Sequence, residues 1–189
     1  MKIICILGSP REKGNSTAIV NKFCETVNGE GADIQAVNLN KLDFKGCQGC
    51  MSCKIKTDRC VVKDALEPVL DSIYEADLLV LSSPVYMGSV TGQLKCFIDR
   101  TFSFLNPDFK TNPDASRLPK GKKALIVTTQ GAPENMFGDV PEHLKMMLER
   151  YGFSEIEIIR GCGIRDIGDA QKDNAVMDMA VQAAKELVG

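Results

Sequence analysis

Cys47, Cys50, Cys53 and Cys60 fall within one short stretch, with two residues separating the first from the second and the second from the third, and six more before the last. Three thiolates at successive three-residue steps can converge on one small centre, and the fourth closes the set. Such spacing suits an iron-sulfur cluster, with Gly49 easing the turn and local amides able to donate to sulfide. Structural zinc usually takes two cysteine pairs a dozen or more residues apart, and no such gap exists here. Reduced thiols or a loop disulfide would also accommodate the spacing. The remaining cysteines, Cys5, Cys24, Cys96 and Cys162, read as core or lining residues.

A second pattern runs from Gly8 to Thr17. The hydroxyls of Ser9, Ser16 and Thr17 and the Asn15 amide are donors suited to phosphate oxygens, at a point where the amides of a helix N-terminus face an incoming anion. It is not a Walker loop, because five residues rather than four separate Gly8 from Gly14 and Asn15 stands where the lysine should be. No Gly-x-Gly-x-x-Gly is present either. The bland alternative is a capping loop in which Ser16 or Thr17 simply satisfies helix amides. His143 has no Ser, Cys or acidic partner at a useful spacing and reads as a surface residue. Lys95, Asp99 and Arg100 read as a helix face with a salt-bridge role.

The elements that must position these groups follow from periodicity. Lys2 to Leu7 is a continuous apolar run, as expected of a strand buried on both faces of a parallel sheet. Ser16 to about Glu30 has helical spacing, with Ile19, Val20, Phe23, Cys24 and Val27 on one side. Asp33 to Leu39 alternates and reads as a second strand near an edge. Asn40 to Lys63, the cysteine-bearing segment, sustains no period, which is uncommon in a compact domain unless the segment is functional or disordered. Further helices are expected over Ala65–Tyr74 and Thr91–Phe104, with a third strand at Ala76–Leu81. Asn106 to Lys120 reads as an exposed loop. Lys123–Thr129 is a fourth strand and Glu155–Ile159 a fifth. Pro141 suits the first position of a helix reaching Tyr151, and Asp169–Val188 is a closing helix. Five strands alternating with five helices imply a doubly wound parallel sheet.

At 189 residues with 44% hydrophobic content the chain fits one domain, residues 1–189. Its 23 basic and 25 acidic residues form no long run of either sign, so no nucleic acid or anionic membrane is expected as partner. The apolar start, Met1 to Leu7, is too short for a secretory or spanning segment, so the protein is expected in the cytoplasm. In that reducing compartment eight cysteines read as ligands, core fillers or redox thiols.

Most of the chain resembles the flavodoxin-like NADPH-dependent FMN reductases, and within them the iron-sulfur flavoproteins. The likeness rests on Gly8, Ser9, Pro10 and Arg11 with Gly14, Asn15, Ser16 and Thr17, and on the cysteine segment. It continues through Ser83, Pro84, Val85, Tyr86, Met87 and Gly88, then Thr91 to Lys95 and Phe97 to Arg100. The resemblance implies a flavodoxin-like sheet of order 2-1-3-4-5, with the cysteine loop at about 40–63 following strand two. It implies that Ser9, Arg11, Gly14, Asn15, Ser16 and Thr17 hold the FMN phosphate, and that Pro84, Val85, Tyr86, Met87 and Gly88 line the isoalloxazine ring. In iron-sulfur flavoproteins a similar cysteine pattern ligates a [4Fe-4S] cluster, which would fall to Cys47, Cys50, Cys53 and Cys60.

The residue types agree with the ring assignment. Pro84 and Gly88 let backbone approach a flat ring closely, and Tyr86 and Met87 offer polarizable surface. A plain strand-to-helix turn is the bland counterpart. Thr129, Gln130 and Gly131, after strand four, are placed to reach the ring's polar edge. The function expected is electron transfer between a one-electron donor and a small acceptor by FMN and a [4Fe-4S] cluster. The resemblance suggests a ferredoxin-type donor, a small oxidant as acceptor, and a homodimer or homotetramer with the 40–63 loop at an interface. Two further functions fit the same residues: an NAD(P)H-dependent FMN or quinone reductase whose cysteines hold no metal, and a non-enzymatic redox sensor.

Overall fold

The computed structural model describes residues 1–29 and 31–189. Five strands, β1 (Lys2–Leu7), β2 (Asp33–Asn38), β3 (Leu78–Pro84), β4 (Lys123–Thr129) and β5 (Glu155–Gly161), pair in parallel in the order β2-β1-β3-β4-β5. The helices among the described residues are α1 (Asn15–Asn28), α2 (Ser52–Ile55), α3 (Glu67–Glu75), α4 (Gly92–Arg100), α5 (Asp139–Arg150), α6 (Asp169–Lys172) and α7 (Asn174–Val188).

Successive strand residues point to opposite faces, and both faces are covered. Ile4, Ile6, Leu79, Leu81 and Ile126 meet Leu70 and Ile73 of α3, Leu94 and Phe97 of α4, and Leu144 and Leu148 of α5. On the other face Ile3, Cys5, Leu78, Val80 and Val127 meet Ile19 and Phe23 of α1 and Ala180 and Ala183 of α7. This two-sided burial is why β1, β3 and β4 are nearly unbroken apolar runs. The edge position of β2 explains its alternation, with most of its residues partly or fully exposed.

Several boundaries differ from the periodicity. Helix α1 starts one residue early, at Asn15, and ends at Asn28; the expected end at Glu30 lies outside the described residues. The cysteine segment is not wholly irregular, since it holds a 3-10 turn at Leu39–Lys41 and the single turn α2. The α-helix expected to Phe104 stops at Arg100 and tightens into a 3-10 turn over Thr101–Phe104. The closing helix is broken at Asp173, whose side chain accepts the Val176 N–H and caps α7. Helix α5 begins at Asp139, two residues before Pro141. Among the described residues no helix is long and apolar enough to cross a membrane.

Candidate functional site

Strand register brings the carboxyl ends of the sheet together. Leu7 lies beside Ser82, Pro84 beside Thr129, and Thr129 beside Gly161. The strand order reverses direction between β1 and β3, the position where open α/β sheets leave a crevice for a ligand. A cavity of about 240 Å³ opens there, lined by Ser9, Arg11, Gly14, Asn15, Ser16, Pro84, Val85, Tyr86, Thr129, Gln130 and Gly131, with Ile164 and Arg165. Thr17, Met87 and Gly88 do not line it: Thr17 is buried in the first turn of α1, and Met87 and Gly88 form the tip of a turn.

At one end the cavity meets the start of α1. No side chain caps this helix, and its first turn carries no acidic residue. The Ser16 hydroxyl is buried and has no hydrogen-bond partner among the described residues. Neither observation fits a helix capped by its own serine. Together they describe free donors at the positive end of a helix dipole, which suits a bound anion. Gly14 is required by the curl of the loop, because a Cβ there would sit 2.5 Å from Ser9 Oγ. That Ser9 hydroxyl donates to the Arg11 carbonyl and accepts the Arg11 N–H, both at 3.1 Å, so it shapes the loop.

Asn15 is also committed. Its Nδ2 donates to the Asp166 carbonyl at 2.9 Å and its Oδ1 accepts the Ala170 N–H at 3.2 Å. The side chain therefore fastens the loop after β5 to the start of α1, using one of its two Nδ2 hydrogens.

The loop after β3 is a tight hairpin turn. Tyr86 and Ser89 exchange N–H to carbonyl bonds at 2.8 and 3.0 Å around Met87 and Gly88, with φ of 51° and 76°. Two successive positive φ values are the signature of a type I′ turn. Gly88 suits it, whereas Met87 carries left-handed strain of about 1–2 kcal/mol. Met87 is wholly solvent-exposed, and Tyr86 and Met136 are nearly half exposed, so large apolar side chains face solvent at this turn and on the loop after β4. Beneath it, Val85 N–H donates to the Thr129 carbonyl at 2.7 Å. Gln130 Nε2 donates to the Pro133 and Met136 carbonyls, each at 2.9 Å, so this side chain braces its own loop.

Ile164 and Arg165 were missed by sequence reasoning. Arg165 Nε donates to the Gly131 carbonyl at 3.1 Å, and a Cβ on Gly131 would lie 2.7 Å from Arg165 Cγ. Gly131 is thus what lets the arginine lie across the β4 loop at the edge of the cavity. The available signal was positional: Arg165 follows the last strand, on the same sheet end as the three recognised loops.

All four cysteines of the segment line a second, small apolar cavity of about 80 Å³, closed by Val61, Val62, Arg100 and Phe102. The backbone turns sharply at Gly49 (φ 63°) and Met51 (φ 57°). Gly49 N–H lies 3.5 Å from Cys47 Sγ. The Ser52 backbone N–H and hydroxyl hold the Cys50 thiol below the usual cysteine range. Lys54 Nζ ties α2 down by donating to the carbonyls of Phe102 at 2.6 Å and Leu105 at 2.7 Å. Soft sulfur donors around one apolar space, with N–H groups aimed at sulfur, fit a polynuclear cluster, in which each thiolate binds a different iron. Among the described residues no three His, Cys, Asp or Glu side chains are gathered tightly enough to hold one metal ion.

Arg100 corrects the sequence expectation. Lys95 and Asp99 do form an exposed pair at 2.6 Å, but Arg100 turns inward, fully buried, and pairs with Asp64 at 2.7 Å. His143 is exposed, as expected. A larger groove of about 610 Å³ between α1 and the α6–α7 side is lined by mixed charges such as Glu12, Lys22, Glu25 and Asp178. It lies along helix flanks, away from the strand ends, and gathers no set of donors of one kind.

The sequence profile of the family described as NADPH-dependent FMN reductase matches residues 1–156. An iron-sulfur flavoprotein of Methanocaldococcus jannaschii is 38% identical over 101 residues, 53% of this chain and 52% of the relative. One from Archaeoglobus fulgidus is 28% identical over 172 residues, 89% of this chain and 73% of the relative. An FMN-dependent NADH:quinone oxidoreductase of Rhizobium meliloti is 27% identical over 154 residues, 78% of this chain and 68% of the relative. The chain spans about half the length of several of the curated relatives it matches. Among solved structures, an FMN-dependent NADH-azoreductase of Bacillus anthracis in complex with FMN superposes with a TM-score of 0.76 at 16% identity, covering 100% of this chain and 99% of that one. At that identity the likeness speaks for the fold.

Proposed function

Because the chain belongs to the NADPH-dependent FMN reductase family, we propose that it is an FMN-dependent oxidoreductase that also carries a [4Fe-4S] cluster and passes electrons between a one-electron donor and a small acceptor. The observation that carries the flavin assignment is the buried, unpartnered Ser16 hydroxyl at an uncapped helix N-terminus, inside the cleft where the strand ends meet. Cys47, Cys50, Cys53 and Cys60 would hold the cluster, since all four line one cavity.

When bound, FMN supplies one- and two-electron chemistry and the cluster one-electron chemistry, so the pair connects donors and acceptors of different stoichiometry. The chain's own groups bind and orient. The first amides of α1, Ser16 and Arg11 would hold the phosphate, and Pro84, Val85 and Tyr86 with Thr129 to Gly131 would hold the ring. Arg165 adds a cation at the cavity edge.

The cysteine segment also suggests a docking face. From Lys41 to Lys63 there are six basic residues against two acidic ones, although the whole chain carries a net charge of -2. Exposed Met51 and Ile55 stand among them. Such a surface suits an acidic one-electron carrier of the ferredoxin type. The exposed apolar side chains of Tyr86, Met87 and Met136 suit coverage by a second copy of the chain in a homodimer or homotetramer. Eight free cysteines accord with a cytoplasmic protein.

The second reading is an NAD(P)H-dependent quinone or FMN reductase without a cluster. What favours it is the likeness, over 78% of this chain, to the FMN-dependent NADH:quinone oxidoreductase. Anaerobic purification followed by iron, sulfide and FMN analysis separates the two. About four irons per chain with FMN supports the first reading; stoichiometric FMN without iron overturns it, and turnover with NAD(P)H then supports the second. Cys50→Ala is expected to abolish the cluster and leave FMN bound.

A further inference from the structure

Arg100 ends α4 with no solvent exposure of its side chain, at a helix position where a cation is ordinarily solvated. Every donor group of its guanidinium is committed to the cysteine segment. Nε donates to Cys60 Sγ at 3.0 Å. Nη1 donates to the Lys45 carbonyl at 2.8 Å and to Asp64 Oδ2 at 2.7 Å. Nη2 donates to the Val62 carbonyl at 3.0 Å and to Asp64 Oδ1 at 3.2 Å. One side chain thus joins both flanks of the segment and touches one of its four sulfurs.

We propose that Arg100 is the positioning residue of the cysteine centre, and that its Nε–H bond to Cys60, balanced by Asp64 behind it, sets the reduction potential of a cluster held there. The inference rests on the proposed cluster. A cluster that accepts an electron becomes more negative, and that charge spreads onto its thiolates. A fixed cationic donor aimed at one thiolate therefore favours the reduced form and raises the potential. Burial keeps the interaction from being screened. Asp64 works the other way: its carboxylate grips the far edge of the guanidinium in a bidentate pair, orients Nε toward sulfur and offsets part of the cation's field.

The two partners of one ion pair should therefore move the potential in opposite directions. A purely structural role would loosen the same loop in either variant and give shifts of the same sign. The test uses the full chain, purified anaerobically as wild type, Arg100→Lys, Arg100→Gln and Asp64→Asn. Iron and sulfide are assayed first, and then the midpoint potential of the cluster is measured by mediated spectroelectrochemical titration.

The expected result is a lower potential for Arg100→Gln, by about tenfold in the reduction equilibrium or about 59 mV for one electron, and a higher one for Asp64→Asn. Arg100→Lys, which keeps the charge but cannot keep the fork, should fall between Arg100→Gln and wild type, so it carries the comparison should Arg100→Gln prove unable to retain iron. Shifts of one sign in both partners' variants, or no shift with iron retained, would overturn the proposal. Wild-type protein that holds FMN but no iron would overturn the cluster reading instead, an outcome visible before any variant is compared.

Discussion

The Thr91 hydroxyl donates to the Gly8 carbonyl at 2.7 Å, joining the loop after β1 to the loop after β3. The same oxygen accepts the Leu94 N–H at 3.3 Å and so caps α4. Gly8 N–H in turn donates to the Ser82 carbonyl at 2.8 Å, and a Cβ on Gly8 would lie 2.8 Å from that oxygen. The two loops that flank the cleft are therefore set against each other by contacts too close to admit a side chain. Replacing Thr91 by Val removes the cap and leaves a buried carbonyl without its donor. The expected loss is about 2 kcal/mol of stability, with FMN affinity falling several-fold, both restored in Thr91→Ser. Denaturant unfolding and flavin-fluorescence titration check it.

Ser16→Ala separates binding from folding. The buried hydroxyl is unsatisfied in the apo chain, so its removal should leave apo stability unchanged or raise it by up to about 1 kcal/mol. A hydrogen bond to a charged phosphate contributes about 1.5–3 kcal/mol, so FMN affinity should fall tenfold or more. Opposite signs in the unfolding and titration experiments are the mark of a ligand-directed hydroxyl. A variant that loses stability in the apo state would show that Ser16 serves the helix.

Arg165→Ala tests the residue that the loops alone did not reveal. Arg165 is exposed at the cavity edge and its one side-chain bond in the structure goes to the Gly131 carbonyl. Apo stability should change by no more than about 0.5 kcal/mol. FMN affinity should fall by about tenfold, the size of one charge-assisted hydrogen bond. Equal affinity in wild type and variant would remove Arg165 from the site.

Asp64 gives the fold a defined acid limit. Burial alone would raise its carboxyl, but the Arg100 guanidinium and the Lys45 and Leu66 N–H groups outweigh it and hold the group below its ordinary value. A carboxyl that titrates lower folded than unfolded adds stability that is complete above about pH 4 and is lost as pH falls through the folded value. Asp64→Asn should lower stability at pH 7 by about 3 kcal/mol, because it leaves Arg100 buried and unpaired. It should also flatten the decline of stability below about pH 4. Unfolding curves of the apo protein across pH 3–7 measure both.

How far the sequence revealed this arrangement depended on how local each cause was. The sheet and its order were legible, because strands buried on both faces leave unbroken apolar runs at Lys2–Leu7 and Lys123–Thr129, and the family resemblance supplied the order. Most cleft-lining residues were legible because they sit on strand-to-helix connections. What was hidden depended on contacts distant in sequence. The Asn15 side chain reads as a phosphate donor, and only the structure shows that it also ties the α1 start to Asp166 and Ala170. Arg100 follows Asp99 in a pattern of exposed charges, and only the fold of a segment some 40 positions earlier turns it inward. The break at Asp173 was visible in principle as a helix cap, but the apolar spacing continues across it.

Helix α4 runs from the Thr91 cap to Arg100, nine residues later. At about 1.5 Å and 100° per residue, those ends lie roughly 14 Å and two and a half turns apart. One end is pinned to the loops of the cleft and the other to the cysteine segment, so the helix acts as a fixed spacer whose phase matters as much as its length. Inserting a single residue would rotate Arg100 by about 100° and carry its guanidinium away from Cys60. Lengthening by a whole turn would restore the direction but not the reach. The two cavities are thus geared to one another by nine residues of backbone, and a change in that number would reach the cysteine cavity through Arg100 while leaving the sequence of both loops intact.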